Sequence, residues 1–287
     1  MFGLLNVHKP AGPTSRDVVN RVQRLVRPAK VGHAGTLDPL ATGVLVVCLG
    51  PATRLVEYVQ QMPKRYRGAF LLGRHSPTED VDSEITLLAD PPVPTRAELQ
   101  VAARRLTGTI QQRPPAYSAL KVAGRRAYQL ARAGHEVELQ ARVITIHRLE
   151  ILHYDYPQLE LDIECSSGTY VRSLGRDLAE LVGSAAVMAA LERQAVGPFS
   201  VAQAIPLEEL SAASIGAALL DPARAVTGLP RRELSAAELF CVQRGQALPH
   251  EPLGPAEYAA FTPDGSLAAV LERRDRGYLP AANFVAL

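Results

Sequence analysis

The sequence predicts an α+β fold built on a mixed, mainly antiparallel sheet, with a small β-rich module from about residue 225. Three observations predict it. Strand-like and helix-like segments intermingle without the regular βα alternation of a doubly wound fold. Leu159, Leu161, Ile163 and Cys165 alternate with Glu160, Asp162 and Glu164, a half-buried strand that stops at Ser166-Ser167-Gly168. Beyond Pro206 the chain changes character, with loops rich in Pro and Gly between short apolar runs. A chain of 287 residues with 47% hydrophobic composition supports one large unit, residues 1–224, and a small one, residues 225–287.

Taken in order, residues 15–27 form an amphipathic helix capped by Ser15, with Val18, Val19, Val22, Leu25 and Val26 on one face. Arg16, Arg21, Arg24 and Arg27 lie off that stripe and Lys30 follows. They form either a solvated basic face or one that contacts phosphates. Residues 44–49 are an uninterrupted apolar run and read as a buried strand; residues 52–60 read as a short helix. A strand over 65–72 opens on Lys64-Arg65-Tyr66-Arg67. Thr95 and Glu98 make a capping box for a helix to about Leu106. Residues 124–133 read as helix, ending near Gly134. The β-branched stretch 137–153 reads as a long strand whose alternation slips at Val143-Ile144, which predicts a bulge there. The strand at 159–165 leads into a helix over 169–181, carrying Tyr170, Arg172 and Arg176, and Ala-rich residues 185–191 read as another helix. In the tail, 206–220 read as helix, 221–230 as connector, 234–243 as helix, 245–263 as loop, and 266–271 and 284–287 as short strands.

A formal charge of +2 is compatible with a nucleic-acid partner without requiring one, because a basic cleft fits inside a nearly neutral total. The first ten residues lack the apolar core of a signal peptide, and no segment has uninterrupted membrane-spanning length, so no membrane association is expected. Cys48, Cys165 and Cys241 lie far apart, with no CxxC pair and no zinc framework. A reducing cytoplasm is the simplest setting, with Cys48 and Cys165 as small buried hydrophobes.

The chemistry centres on Gly32-His33-Ala34-Gly35-Thr36-Leu37-Asp38-Pro39-Leu40-Ala41-Thr42-Gly43. One acid, Asp38, stands between small residues and a stiff Pro, where its orientation is easily held. It is either a turn aspartate capping its own loop or a carboxylate nucleophile or base. If buried and ionised it needs a cation, and Arg172, just after the cleanest strand, is the attractive partner. Tyr66 among Lys64, Arg65 and Arg67 offers stacking and charge to a nucleobase and its phosphate, or is a packed edge-strand tyrosine. Residues 112–121 are stiffened by Pro114-Pro115 and either line a cleft or cross between domains. His33 has no metal-ligand pattern around it, the glycine loop has no Walker GK[ST], and there is no Gly-x-Ser-x-Gly. No metal and no cofactor are expected.

Over roughly residues 3–200 the chain closely resembles the tRNA pseudouridine-55 synthase family, the TruB-type branch of pseudouridine synthases. Leu5 to Ser15 resembles the family's Lys-Pro-x-Gly-x-Thr-Ser opening, and Gly32 to Leu45 matches its Gly-His-x-Gly-x-Leu-Asp-Pro-x-Ala-x-Gly catalytic loop. Lys64-Arg65-Tyr66 matches the segment with the base-stacking tyrosine. Pro114 to Lys121 matches Pro-Pro-x-Tyr-Ser-Ala-x-Lys, and Ser167 to Arg172 the block with a second tyrosine and the arginine. The tail resembles PUA-like modules more weakly.

The resemblance implies a pseudouridine synthase fold with a PUA-like RNA-binding module. It implies isomerisation of uridine to pseudouridine at position 55 in the T-loop of tRNA, by base flipping and Asp38-dependent glycosidic bond cleavage. Asp38 would be the essential acid and Arg172 its partner. Tyr66 would stack on the target uracil and Tyr170 line the pocket. His33 would help hold the flipped-out stem-loop, while Lys9 and Leu191 support the pocket. The partner is then the T-arm of tRNA, bound by a monomer with no obligate protein partner. Two other readings stay open: the same chemistry on another RNA, and an RNA-binding or tRNA-folding protein. Two positions depart from the family pattern: His8 stands where Asp is usual before Lys-Pro, and Ser76-Pro77-Thr78-Glu79-Asp80 replaces Thr-Asp-Thr-x-Asp. Pro77 is expected to stiffen that segment.

Overall fold

The computed structural model describes all residues except 119, 123–124, 128–129, 131–132, 134–138, 250–252 and 286–287. The main sheet is formed by β1 (Gly3–Lys9), β2 (Val31–His33), β3 (Thr42–Leu49), β4 (Lys64–Leu72), β5 (Gly108–Gln112), β6 (Arg142–Asp155), β7 (Gln158–Cys165) and β8 (Ala186–Val196). Its spatial order is β1-β3-β8-β4-β7-β6-β5, with Ile205–Pro206 outside β1 and β2 on β3. All of these pairings are antiparallel except β3 with β8 and β1 with Ile205–Pro206. The expected mixed, mainly antiparallel sheet is therefore present.

Among the described residues, the helices beside this sheet include α1 (Ser15–Val26), α2 (Val56–Gln61), α3 (Arg96–Arg105) and α4 (Val171–Glu180). The apolar stripe of α1 is buried at Val18, Val19, Val22 and Val26, against Leu5, Val7, Leu45 and Val47. Its cap is Thr14 rather than Ser15, with Asp17 completing a capping box. Ser15 is buried instead and hydrogen-bonds the backbone of Leu37 in the loop that carries Asp38. The α3 capping box of Thr95 and Glu98 forms as expected.

Several expectations fail for identifiable reasons. Of residues 185–191, expected as helix, 186–191 belong to strand β8, because β8 runs between β3 and β4 and buries Val187, Met188 and Leu191. Sheet pairing outweighs the helix propensity of its alanines. Residues 206–220 form a short 3₁₀ turn at Leu207–Glu209 and irregular turns rather than a helix. Ser211 and Ser214 bond each other's backbone there and compete with helical bonds. The irregularities of β6 fall at Ile146/Arg148 and Ile151/His153, not at Val143-Ile144. The helix expected over 124–133 lies largely outside the described residues; within that range Arg125–Arg126 pair with Lys121–Val122.

The tail forms a separate sheet of β9 (Arg231–Glu233), β10 (Glu257–Phe261), β11 (Leu267–Arg274) and β12 (Gly277–Asn283), with α5 (Ala236–Gln243) beside it. A strand thus lies inside the expected loop 245–263. Of the strand expected over 284–287, residues 286–287 lie outside the described residues; the last described strand ends at Asn283 and Phe284 stacks on Phe2, ring centroids 4.9 Å apart. Ala259, Phe261, Val270 and Ala282 share a buried cluster with Leu4, Val44, Val46 and Cys48 of the main sheet. Tyr58 donates to Glu257 at 2.8 Å across the same contact. No helix among the described residues is long and apolar enough to cross a membrane.

Candidate active site

Asp38 sits in the loop between β2 and β3, and its backbone is held from four directions. Ser15 Oγ donates to the Leu37 carbonyl at 3.1 Å and accepts from its N–H at 2.8 Å. The Gly12 N–H donates to the Pro39 carbonyl. Lys9 Nζ donates to the Pro39 and Ala41 carbonyls at 3.1 and 2.7 Å. Arg193 donates from Nη2 to the Gly35 carbonyl at 3.1 Å and from Nε to that of Val44 at 2.7 Å. The loop returns to the sheet at Gly43, whose φ is +98° and where a Cβ would lie 2.4 Å from the Arg193 carbonyl oxygen, so only glycine fits.

Arg172 reaches Asp38 from the first turn of α4, Nε to Oδ2 3.1 Å. The helix comes close to the sheet at Gly175, where a Cβ would stand 2.2 Å from the Phe70 ring. A cation near a helix N-terminus opposes the helix dipole, and here two carboxylates offset it. The second is Asp80, whose Oδ2 lies 3.4 Å from Nη1. Arg172 also donates to the Thr78 and Tyr117 carbonyls at 2.6 and 3.0 Å, so its whole fork is occupied. Its side chain is 9% exposed and that of Asp38 35%, which leaves the acid open to a ligand.

Asp38, Tyr66, Tyr170, Arg172 and Leu191 line one cleft of about 310 Å³. Tyr66 on β4 and Arg193 on β8 are register partners, as are Gly68 and Leu191. Burial pushes the Tyr66 phenol up, and the Arg193 guanidinium hydrogen-bonded to it offsets only part of this, so the ring is neutral. Burial raises the Tyr170 phenol in the same way. Tyr170 heads α4 without a side-chain cap of its own; Gln112 accepts from its N–H at 2.8 Å and donates to its carbonyl at 3.1 Å.

Lys9 and His33 do not line this cleft. Lys9 lies fully buried beneath the loop. His33 opens onto a neighbouring hollow with Arg16, Gln23 and Lys30. Burial, and next Arg16, push the His33 imidazole below its usual range. Arg193 is absent from the sequence reading, and Gln112 and Asp80 are named there only within the segments 112–121 and 76–80, without a role of their own. No local signal marks Arg193: it stands in Leu191-Glu192-Arg193-Gln194-Ala195-Val196, which shows no apolar–polar alternation and two adjacent charges. The departure at Pro77 is accommodated: it enters a turn closed by the Glu79 N–H to the Ser76 carbonyl and Asp80 still reaches Arg172. His8 faces Glu192 at 3.8 Å.

The family model for "TruB family pseudouridylate synthase (N terminal domain)" matches residues 23–171. This chain belongs to the TruB pseudouridylate synthase family. A protein named tRNA pseudouridine synthase B from Thermobifida fusca (strain YX) is 42% identical over 291 residues, covering 98% of both chains. One of the same name from Arthrobacter sp. (strain FB24) is 41% identical, covering 94% of this chain and 92% of that protein. A chain from a crystal structure of a Cbf5-Nop10-Gar1 complex superposes with a TM-score of 0.75 at 25% identity, covering 99% of this chain and 84% of the other. The family's pseudouridine synthase fold is thus the fold of this chain. None of these matches assigns a role to an individual residue of the TruB-type cleft.

Lys9 makes one property of the site measurable. Burial lowers its pKa from 10.5 to about 8; Asp38 opposes the shift and Arg193 adds to it. A lysine lowered in the folded state binds fewer protons there than when unfolded. Its penalty is therefore full below about pH 8 and is relieved as pH rises toward 10.5. Lys64, lowered to about 8 chiefly by burial, acts with the same sign. Cys165 and Cys48, raised by burial from 9.0 to about 11 and about 12, act oppositely above pH 9. Urea unfolding should show stability rising between pH 8 and 9, and Lys9→Met should remove about half of that slope. An unchanged slope in Lys9→Met would assign it to other groups.

Proposed function

We propose that this chain isomerises uridine to pseudouridine at position 55 in the T-loop of tRNA. The observation that carries this reading is the convergence of an arginine-paired carboxylate, Asp38, with the buried ring of Tyr66 in one small cleft. A cleft of about 310 Å³ is at the small end of ligand pockets and suits one flipped nucleotide. The cost of unstacking that base is offset by the Tyr66 ring and by phosphate contacts outside the cleft. Asp38 promotes cleavage of the N1–C1′ bond, either by attack on C1′ or by removal of the C2′ proton. The uracil turns in place and its C5 bonds to C1′, displacing the Asp38 carboxylate in the first route and accompanied by return of the proton to C2′ in the second. C5 then loses its proton and N1 gains one, so atoms and electrons balance without an outside reagent. Arg172 orients Asp38, Tyr170 and Leu191 bound the base, and Lys9 stiffens the loop. His33, kept neutral beside the exposed residues Arg16 and Lys30, suits contact with a displaced base more than with a phosphate.

The second sheet, from about residue 225, is read as a PUA-like RNA-contacting module. The protein acts as a monomer without an obligate protein partner. A reducing cytoplasm suits its three free cysteines. The test is incubation of purified protein with unmodified tRNA, followed by mapping of pseudouridine at nucleotide resolution. One modified site in the T-loop is expected. No product with any tRNA at high enzyme concentration would overturn the reading, and product confined to ribosomal RNA would transfer it to another substrate.

A further inference from the structure

Glu79 adopts φ +61°, the left-handed region that a non-glycine residue enters only when its surroundings impose it. Three groups impose it here. The Met188 N–H of β8 donates to the Glu79 carbonyl at 3.0 Å, and the Val81 N–H returns to the Met188 carbonyl at 3.1 Å. The Glu79 carboxylate accepts from Ser173 Oγ at 2.8 Å and is ion-paired with Arg176. Ser173 and Arg176 are the residues one and four places after Arg172 on α4. Arg176 also donates to the Arg113 carbonyl at 2.9 Å, which ties it to the segment bearing Tyr117. The residues on either side of Glu79 supply two of the acceptors that hold Arg172: the Thr78 backbone carbonyl and the Asp80 side-chain carboxylate.

We infer that Glu79 is a positioning residue: clamped by Ser173 and Arg176, it sets the Thr78–Asp80 backbone that aims Arg172 at Asp38. The ion pair touches neither the cleft lining nor any reacting atom. Each side chain is only 15% exposed, so the pair is less screened than a surface one. It fastens the acceptors to the same helix that carries the arginine they hold. A loop that slips relative to α4 would let the guanidinium turn away from Asp38, and small misplacements of reacting groups are costly in rate.

The inference rests on the proposed pseudouridine-forming role, and its test has one readout that does not. Glu79→Gly removes the carboxylate while fitting the backbone conformation, and Glu79→Gln keeps the size but not the charge. In both, kcat for pseudouridine formation should fall about tenfold, with KM for tRNA within about twofold of the parent protein. In the RNA-free protein, hydrogen exchange at Arg172 Nε–H, followed by NMR, should accelerate at least about tenfold. Should both variants fail to fold, Ser173→Ala, which deletes one hydrogen bond, should give the same changes at smaller amplitude. Unchanged exchange at Arg172 would overturn the inference even if stability falls, because Glu79 would then be only a structural tie. Accelerated exchange with unchanged kcat would overturn it as well. An inactive parent protein would instead count against the proposed function, leaving the exchange result to decide the positioning role.

Discussion

Asp38→Asn is expected to leave a folded protein that still binds tRNA and forms no measurable pseudouridine. The substitution removes one negative charge and changes almost no volume. The loop does not depend on that charge for its shape: Ser15, Gly12, Lys9 and Arg193 hold its backbone through carbonyl and amide groups that the substitution leaves in place. Arg172 keeps Asp80 and two carbonyls, so the stability cost should stay within about 1 kcal/mol, as for a partly exposed pair. The rate should fall by at least about 10⁴-fold, the order seen when a group that acts directly on substrate is deleted. Single-turnover assays with excess enzyme measure the rate, and filter binding measures affinity. A residual rate within about tenfold of the parent protein would show that Asp38 is a loop-capping residue and not the reacting group.

Arg172 should behave differently, because fold and site share it. Arg172→Met strands the Asp80 carboxylate, 5% exposed, without its cation, and leaves the Thr78 and Tyr117 carbonyls without their donors. Breaking a buried pair in this way costs about 3–5 kcal/mol, which urea unfolding will resolve, and activity should vanish with it. Arg172→Lys separates the two roles. A lysine returns the charge but cannot address Asp38, Asp80 and both carbonyls from one planar fork. It should recover a large part of the stability while losing at least about 10²-fold in kcat, with tRNA affinity little changed. A wild-type rate in Arg172→Lys would mean that charge alone, without orientation, serves Asp38.

Much of the site was legible before the fold, but unevenly. Asp38, Tyr66, Tyr170 and Arg172 stand in the motifs that carry the family resemblance, and the cleft brings all four together. Arg193 and Asp80 were not legible, although they hold Tyr66 and Arg172. A buried charge in a sequence looks like any other charge until its partners are known, and these partners lie far away along the chain. Gln112 is the same case: it acts as a backbone surrogate for Tyr170, 58 residues on. The helix expected at 185–191 failed because an Ala-rich apolar run suits either structure until neighbouring strands choose.

Local physics was enough for the elements whose signals are short-range. The period-two pattern of β7, the capping box of α3, and the apolar stripe of α1 all depend on residues within a few positions of one another. The α+β class followed from their mixed order, and the acid at the centre of the chemistry from one loop. Tertiary structure alone decided three things. It made 186–196 a central strand, placed His33 outside the cleft and Lys9 beneath it, and surrounded Arg172 with two carboxylates and two carbonyls. Each is a long-range pairing, whose free energy comes from groups that meet only after the sheet has closed, so no window of sequence contains it.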